Sequence, residues 1–173
     1  MEKEELLELI SSWDNLVFFI RQPENHPELF PLVMDIALHC DEQKSWRAAW
    51  MADKINDHFP ELVRPFLPEM TEKLKTEKSD GKKRQFLKLI SMNEIAEAHH
   101  SFLVDYCFEA LTSAKEPTSV RVYAMQILFN ISEKEAGLKP ELLSVLEHEM
   151  EFHATPGVLS RGKKLMKILL KQI

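Results

Sequence analysis

The chain has 173 residues, of which 45% are hydrophobic and 29% charged, and its formal net charge is −6. These values exclude wholesale disorder and fit a single domain. The acidic balance argues against nucleic acid as the default partner. The opening "MEKEELLELI" is unlike a signal peptide, and no stretch approaches the ~18 uninterrupted apolar residues of a membrane span. Cys40 and Cys107 stand apart in apolar runs, as buried thiols in a reducing compartment do. The expectation is therefore a cytoplasmic protein with no membrane association, no disulfide and no cofactor. Glycine is scarce while Leu, Glu, Lys, Ala and Met abound, which favours helix over strand.

In chain order, "EKEELLELI" and "WDNLVFFIRQ" read as two helices, ended by Pro23 and Pro27. "PELFPLVMDIALHC" is the next helix. Its Pro27 suits the first turn, where an amide hydrogen would be unpaired anyway; Pro31 lies deeper, where it can kink the chain. After the turn "DEQK" comes the helix "SWRAAWMADKINDHF". The alternation repeats: "PELVRPFLPEMTEKLKT" as one helix, "KSDG" as turn, "KKRQFLKLISM" as partner. "NEIAEAHHSFLVDYCFEALTS" is paired with "SVRVYAMQILFNIS" across "KEPT", and "KPELLSVLEHEMEFH" with "VLSRGKKLMKILLKQI" across "ATPG". This divides a single domain into an N-terminal cap over 1–24 and helix pairs over 25–59, 60–93, 94–137 and 138–173.

Two columns run through the pairs. Arg47, Arg84 and Arg121 recur every 37 residues, followed by Arg161 after 40; Asn56, Asn93 and Asn130 recur every 37. A two-helix unit of this period marks a helical solenoid, because one pair cannot bury its apolar stripe alone and must stack on the next. Over roughly residues 25–173 the second helices resemble those of the HEAT and armadillo superfamily, in which an apolar residue precedes the arginine. Trp46-Arg47 and Val120-Arg121 match; Lys83-Arg84 and Ser160-Arg161 match less faithfully. The family's aspartate six residues before the arginine is present at Asp41 and replaced by Lys78, Lys115 and Thr155 elsewhere. The resemblance implies an all-α fold, a right-handed α-α superhelix of about four helix pairs. The chain also resembles small bacterial HEAT-like proteins, some carrying an adenylosuccinate lyase label. The lyase family's Ser-Ser-x-Met-Pro loop has no counterpart, since "ISSWDNL" lacks the Met-Pro part.

The arginine column admits two roles. Arg47, Arg84, Arg121 and Arg161 can line a groove and grip a carboxylate or phosphate in bidentate fashion, or bridge adjacent repeats as HEAT arginines commonly do. The asparagines suit helix ends or the next loop. Formal charge is segregated. The second-helix segments carry −1, +4, 0 and +5, the first-helix segments −2, −1, −4 and −3, and the cap −4. The resemblance implies that second helices line a concave surface, which would then be partly basic and would focus an attractive potential on an acidic partner. Lys83 and Lys88 in the second pair, with Lys164 and Lys167 in the fourth, join the arginines on that face. Lys82 and Lys163 add to it. Among Trp46 and Trp50, one indole, with Trp50 the candidate, can stay partly exposed as an anchor; Trp13, Phe86, Tyr123 and Phe129 read as core.

Metal and catalytic patterns are weak. Glu97 and His100 have the i, i+3 spacing of carboxylate-bridged di-iron bundles but no second copy, and Glu149 and His153 stand one turn apart. No metal site is expected. There is no Gly-x-Ser-x-Gly elbow, Walker loop or His-Glu-x-x-His motif, so no catalytic residue is expected. The leading reading is a non-enzymatic scaffold that takes a protein or peptide, acidic by charge, in its concave groove. The second is a nucleic-acid binder, because the HEAT-like alkylpurine DNA glycosylases also use a basic concave surface. The third is self-association as a homodimer through the C-terminal helix "LMKILLKQI".

Overall fold

The computed structural model describes residues 1–21 and 27–173. The expected breaks at Pro23 and at the cap boundary fall outside them. All regular structure among the described residues is helical. None of these helices is long and apolar enough to cross a membrane. The chain forms two compact units, Met1–Leu89 and Ile90–Ile173.

The first unit contains α1 (Lys3–Leu9), α2 (Trp13–Arg21), α3 (Leu29–His39), α4 (Trp46–Asn56), α5 (Pro60–Val63), α6 (Leu67–Lys73) and the greater part of α7 (Asp80–Met92). α1 packs on α3 and α2 on α4, while α3 packs on both α4 and α6. Residues 1–21 therefore stack in the same order as the pairs behind them, although they match the 37-residue period poorly in sequence. Leu6, Ile10, Leu16, Met34, Ile36, Met51, Met70 and Phe86 are fully buried. Each such side chain contributes roughly 1.5–3 kcal/mol by leaving water, which is why a single pair with one exposed apolar side is not a stable object.

The expected helix over 60–76 is instead divided. α5 gives way to a 3-10 turn at Arg64–Phe66, and α6 starts at Leu67. Pro65 and Pro68 lie inside that stretch. Each lacks an amide hydrogen, and each ring collides with the carbonyl four residues earlier. Pro31, by contrast, is the third residue of α3 and sits within its first turn, where the helix tolerates it.

The second unit holds the last residues of α7, then α8 (His100–Thr112), α9 (Thr118–Ser132), α10 (Lys139–Phe152) and α11 (Pro156–Leu169). The helix expected from Asn93 begins only at His100, after a 3-10 turn over Glu97–His99. Ile95 turns inward, and its carbonyl meets the His100 ring instead of a helical amide. α9 packs against both α8 and α11. It accordingly buries more than one stripe: Val120, Ala124, Met125, Ile127, Leu128 and Ile131 are all inaccessible.

α11 is capped by the Thr155 hydroxyl, which accepts from the Val158 amide, and Pro156 fills its first position. Its two glycines lie where neighbours come close. A Cβ on Gly157 would stand 2.8 Å from Thr118 Cγ2, and one on Gly162 would stand 2.5 Å from Met150 Sδ. The threonine is β-branched and stiff, whereas the methionine can swing away. Replacing Gly157 by alanine is therefore expected to destabilise the fold by about 1–3 kcal/mol through overpacking. Replacing Gly162 is expected to cost less than that, since the ~1 kcal/mol helix-propensity gain of alanine offsets the displacement of Met150. Chemical denaturation of the two variants checks the order.

Candidate functional site

The cations singled out by the sequence fall into two sets. Most are held by the chain itself. Arg47 Nη1 donates to the carbonyls of Ile10, at 3.3 Å, and Ser11, at the end of α1. Its guanidinium lies 4.7 Å from the Trp13 ring centroid, a cation–π contact. Arg121 is 4% exposed. Its Nε donates to Leu111 O at 2.9 Å, its Nη1 to His153 O at 3.1 Å and its Nη2 to Glu149 Oε2 at 2.9 Å. It thus ties the end of α8 to the end of α10. Arg161 Nη1 donates to Gln126 Oε1 on α9. Of the two roles open to the arginine column, the bridging one describes Arg47, Arg121 and Arg161.

Arg84 departs from its column. Lys82, two residues earlier, is 2% exposed and its ammonium donates to Cys40 O, just past α3. The column is a register of sequence more than of helix. Arg47 is the second residue of α4, Arg84 the fifth of α7, Arg121 the fourth of α9 and Arg161 the sixth of α11. Arg84 is half-buried and meets no acceptor among the described residues.

Lys83 stands 3.3 Å from Asp80 Oδ1. Lys88 Nζ lies 2.7 and 2.8 Å from the two oxygens of Asp53. Asp53 is buried on α4, so this pair joins α4 to α7. Trp50 and Trp46 are half-buried and meet Trp13 edge-on, at centroid distances of 5.3 and 6.1 Å. Trp13, read as core from the sequence, is the exposed member at 48%. Phe86 is fully buried; Tyr123 and Phe129 are half-buried.

The second set lies on α11. Lys163, Lys164 and Lys167 are exposed and have no ion pair among the described residues. Their spacing puts them on one helical face with Ser160. Lys171 continues that face beyond the helix end, and Ile168 and Leu170 are exposed beside it. This stripe belongs wholly to the second unit.

Of the asparagines, Asn130 Nδ2 donates to Ser91 O at 2.8 Å and its Oδ1 accepts from Gln126 Nε2. It therefore bonds back to the end of α7 and not to the following loop. His100 is buried, and its two ring nitrogens meet Glu135 Oε1 and Ile95 O. Both are occupied, so Glu97 and His100 do not offer a metal pair. Glu149 gathers more than its sequence spacing showed, because His148 as well as His153 approaches its carboxylate, with Nδ1 at 3.2 Å from Oε1 and from Oε2 respectively. His148 and His153 are five apart and share no helical face. They meet because His153 leaves the helix, with φ −132° and ψ 31°. Both cysteines are free and buried, and burial pushes the Cys107 thiol far above its ordinary value.

Burial also holds the Lys82 ammonium below its ordinary 10.5, only partly opposed by Glu77. Between the folded-state value and 10.5 the unfolded chain binds more protons than the folded one. The contribution of this group to stability therefore rises with pH through that interval. Lys82→Met is expected to remove that rise. The unfolding free energy of the parent minus that of the variant, measured from pH 7 to pH 10.5, is expected to rise with pH; a flat or falling difference would contradict this.

A family model described as a HEAT repeat domain matches residues 4–169. No curated protein and no solved structure matches the chain. Matched over residues 4–169, and all-helical in its regular structure among the described residues, the chain belongs to the HEAT repeat family, an α-α solenoid class.

Proposed function

We propose that this HEAT repeat domain is a non-enzymatic binding module that takes an acidic protein or peptide segment on the lysine stripe of α11. One observation carries the reading. Arg47, Lys82, Lys88, Arg121 and Arg161 are engaged by the chain's own carbonyls, amides and carboxylates, whereas Lys163, Lys164 and Lys167 stand in solvent without a counter-charge among the described residues. A one-signed stripe on a rigid helix attracts and orients a segment of opposite charge. Ile168 and Leu170 lie beside it and give such a segment apolar surface to cover. HEAT repeat domains commonly mediate protein interactions, which supports a protein or peptide as the partner class.

A symmetric homodimer through the same helix is disfavoured by its charge. A two-fold interface brings the same patch onto itself, and here it would set lysines against lysines. Among the described residues no feature favours nucleic acid over an acidic protein.

The test uses a fluorescent oligoglutamate peptide as the acidic probe. Changing Lys163, Lys164 and Lys167 together to glutamate is expected to weaken its binding at least about tenfold, with the circular dichroism spectrum and thermal midpoint unchanged. Unchanged affinity would overturn the proposal. So would duplex DNA bound more tightly than the peptide at the same salt, or sedimentation showing a dimer that the substitutions dissociate.

A further inference from the structure

His148, Glu149 and His153 form the densest group of metal-ligating side chains among the described residues, with one ligand atom from each lying within 4.8 Å of the others. We propose that they bind one late first-row divalent cation, with Zn2+ the foremost member. Glu149 Oε1 stands 3.2 Å from His148 Nδ1 and 3.4 Å from His153 Nδ1. Around a tetrahedral ion with bonds of ~2.0–2.1 Å, adjacent ligand atoms are about 3.3 Å apart. The carboxylate and both imidazoles are thus already at coordination spacing, and rotation of the two exposed rings closes the remaining gap between them.

The carboxylate is held for this role. Glu149 is 3% exposed, and its other oxygen takes a hydrogen bond from Arg121 Nη2 at 2.9 Å. Arg121 is in turn fixed by Leu111 O and His153 O. Oε1 therefore points at the rings from a fixed origin, which is the orienting work that outer-shell partners do in metal sites. The imidazoles remain half exposed to solvent, so an ion can reach them. The His148 ring rests 4.9 Å from Phe152, which limits its swing. Two nitrogens and one oxygen suit Zn2+, Cu2+ or Ni2+ and not Mg2+ or Ca2+, which prefer all-oxygen shells. The nearby guanidinium opposes the cation, so binding is weaker than in a site with two free carboxylates. Three protein ligands leave the fourth position to water.

The experiment is calorimetric titration of the intact chain with Zn2+, alongside thermal unfolding with and without the ion. One equivalent is expected to bind near neutral pH and to raise the thermal midpoint, with Mg2+ having no effect. The double variant His148→Ala, His153→Ala is expected to lose that binding and the shift while melting, without metal, close to the parent. The single His148→Ala variant, altering one exposed ring, is expected to bind at least about tenfold more weakly. Absence of binding at millimolar Zn2+, or binding unchanged in the double variant, would overturn the proposal.

Discussion

Helix ends are the constraint on which this structure turns. Every helix leaves its last carbonyls without an amide partner, and packing helices against one another within each unit brings those ends close to apolar surface, where an unpaired carbonyl is costly. The chain meets the difficulty with long cationic side chains. Arg47 reaches the end of α1, Lys82 the end of α3, and Arg121 the ends of both α8 and α10. A positive group at a helix C-terminus also opposes the partial negative charge there. The buried Arg121–Glu149 pair shows the cost of the solution. Removing one partner of such a pair leaves a buried charge, with a penalty of about 3–5 kcal/mol.

The same constraint sorts the basic residues by what remains of them for other work. A guanidinium that already makes three hydrogen bonds inside the fold has little left for a ligand, whatever its place in a sequence column. The lysines of the α11 stripe reach neither a helix end nor a carboxylate among the described residues and stay in water. The basic excess of the second helices thus contains structural cations in both units and a solvent-facing stripe on α11, whose three lysines have no ion pair among the described residues. The surface ion pairs elsewhere, such as Lys3–Asp35 or Lys134–Glu94, contribute little to stability in water.

Much of the architecture was legible in the sequence because stacking imposes a period. The alternation of helix-length apolar segments, the turn clusters "DEQK" and "ATPG", and the 37-residue recurrence of arginine each reflect one repeated physical problem. What escaped was local. Pro65 and Pro68 split a segment whose apolar spacing alone looks continuous. The arginine column hid a change of register, since nothing in "KSDGKKRQF" says that Lys82, and not Arg84, turns inward. His148 was overlooked beside Glu149 because spacing of five on a helix places two residues on different faces, and only the departure of His153 from helical dihedrals brings them together. Trp13 was read as core from its spacing, while its packing against Arg47 and two other indoles leaves one side in solvent.

The central claim is that the fold consumes one set of cations and leaves another free, and lysine reactivity measures it directly. Brief acylation of the native protein at neutral pH, followed by peptide mass spectrometry, should modify Lys163, Lys164 and Lys167 rapidly. Lys82 should react only after unfolding, and Lys88, held by Asp53, more slowly than the α11 lysines. Labelling of Lys82 at the rate of the α11 lysines, or protection of those three in the isolated chain, would contradict the account.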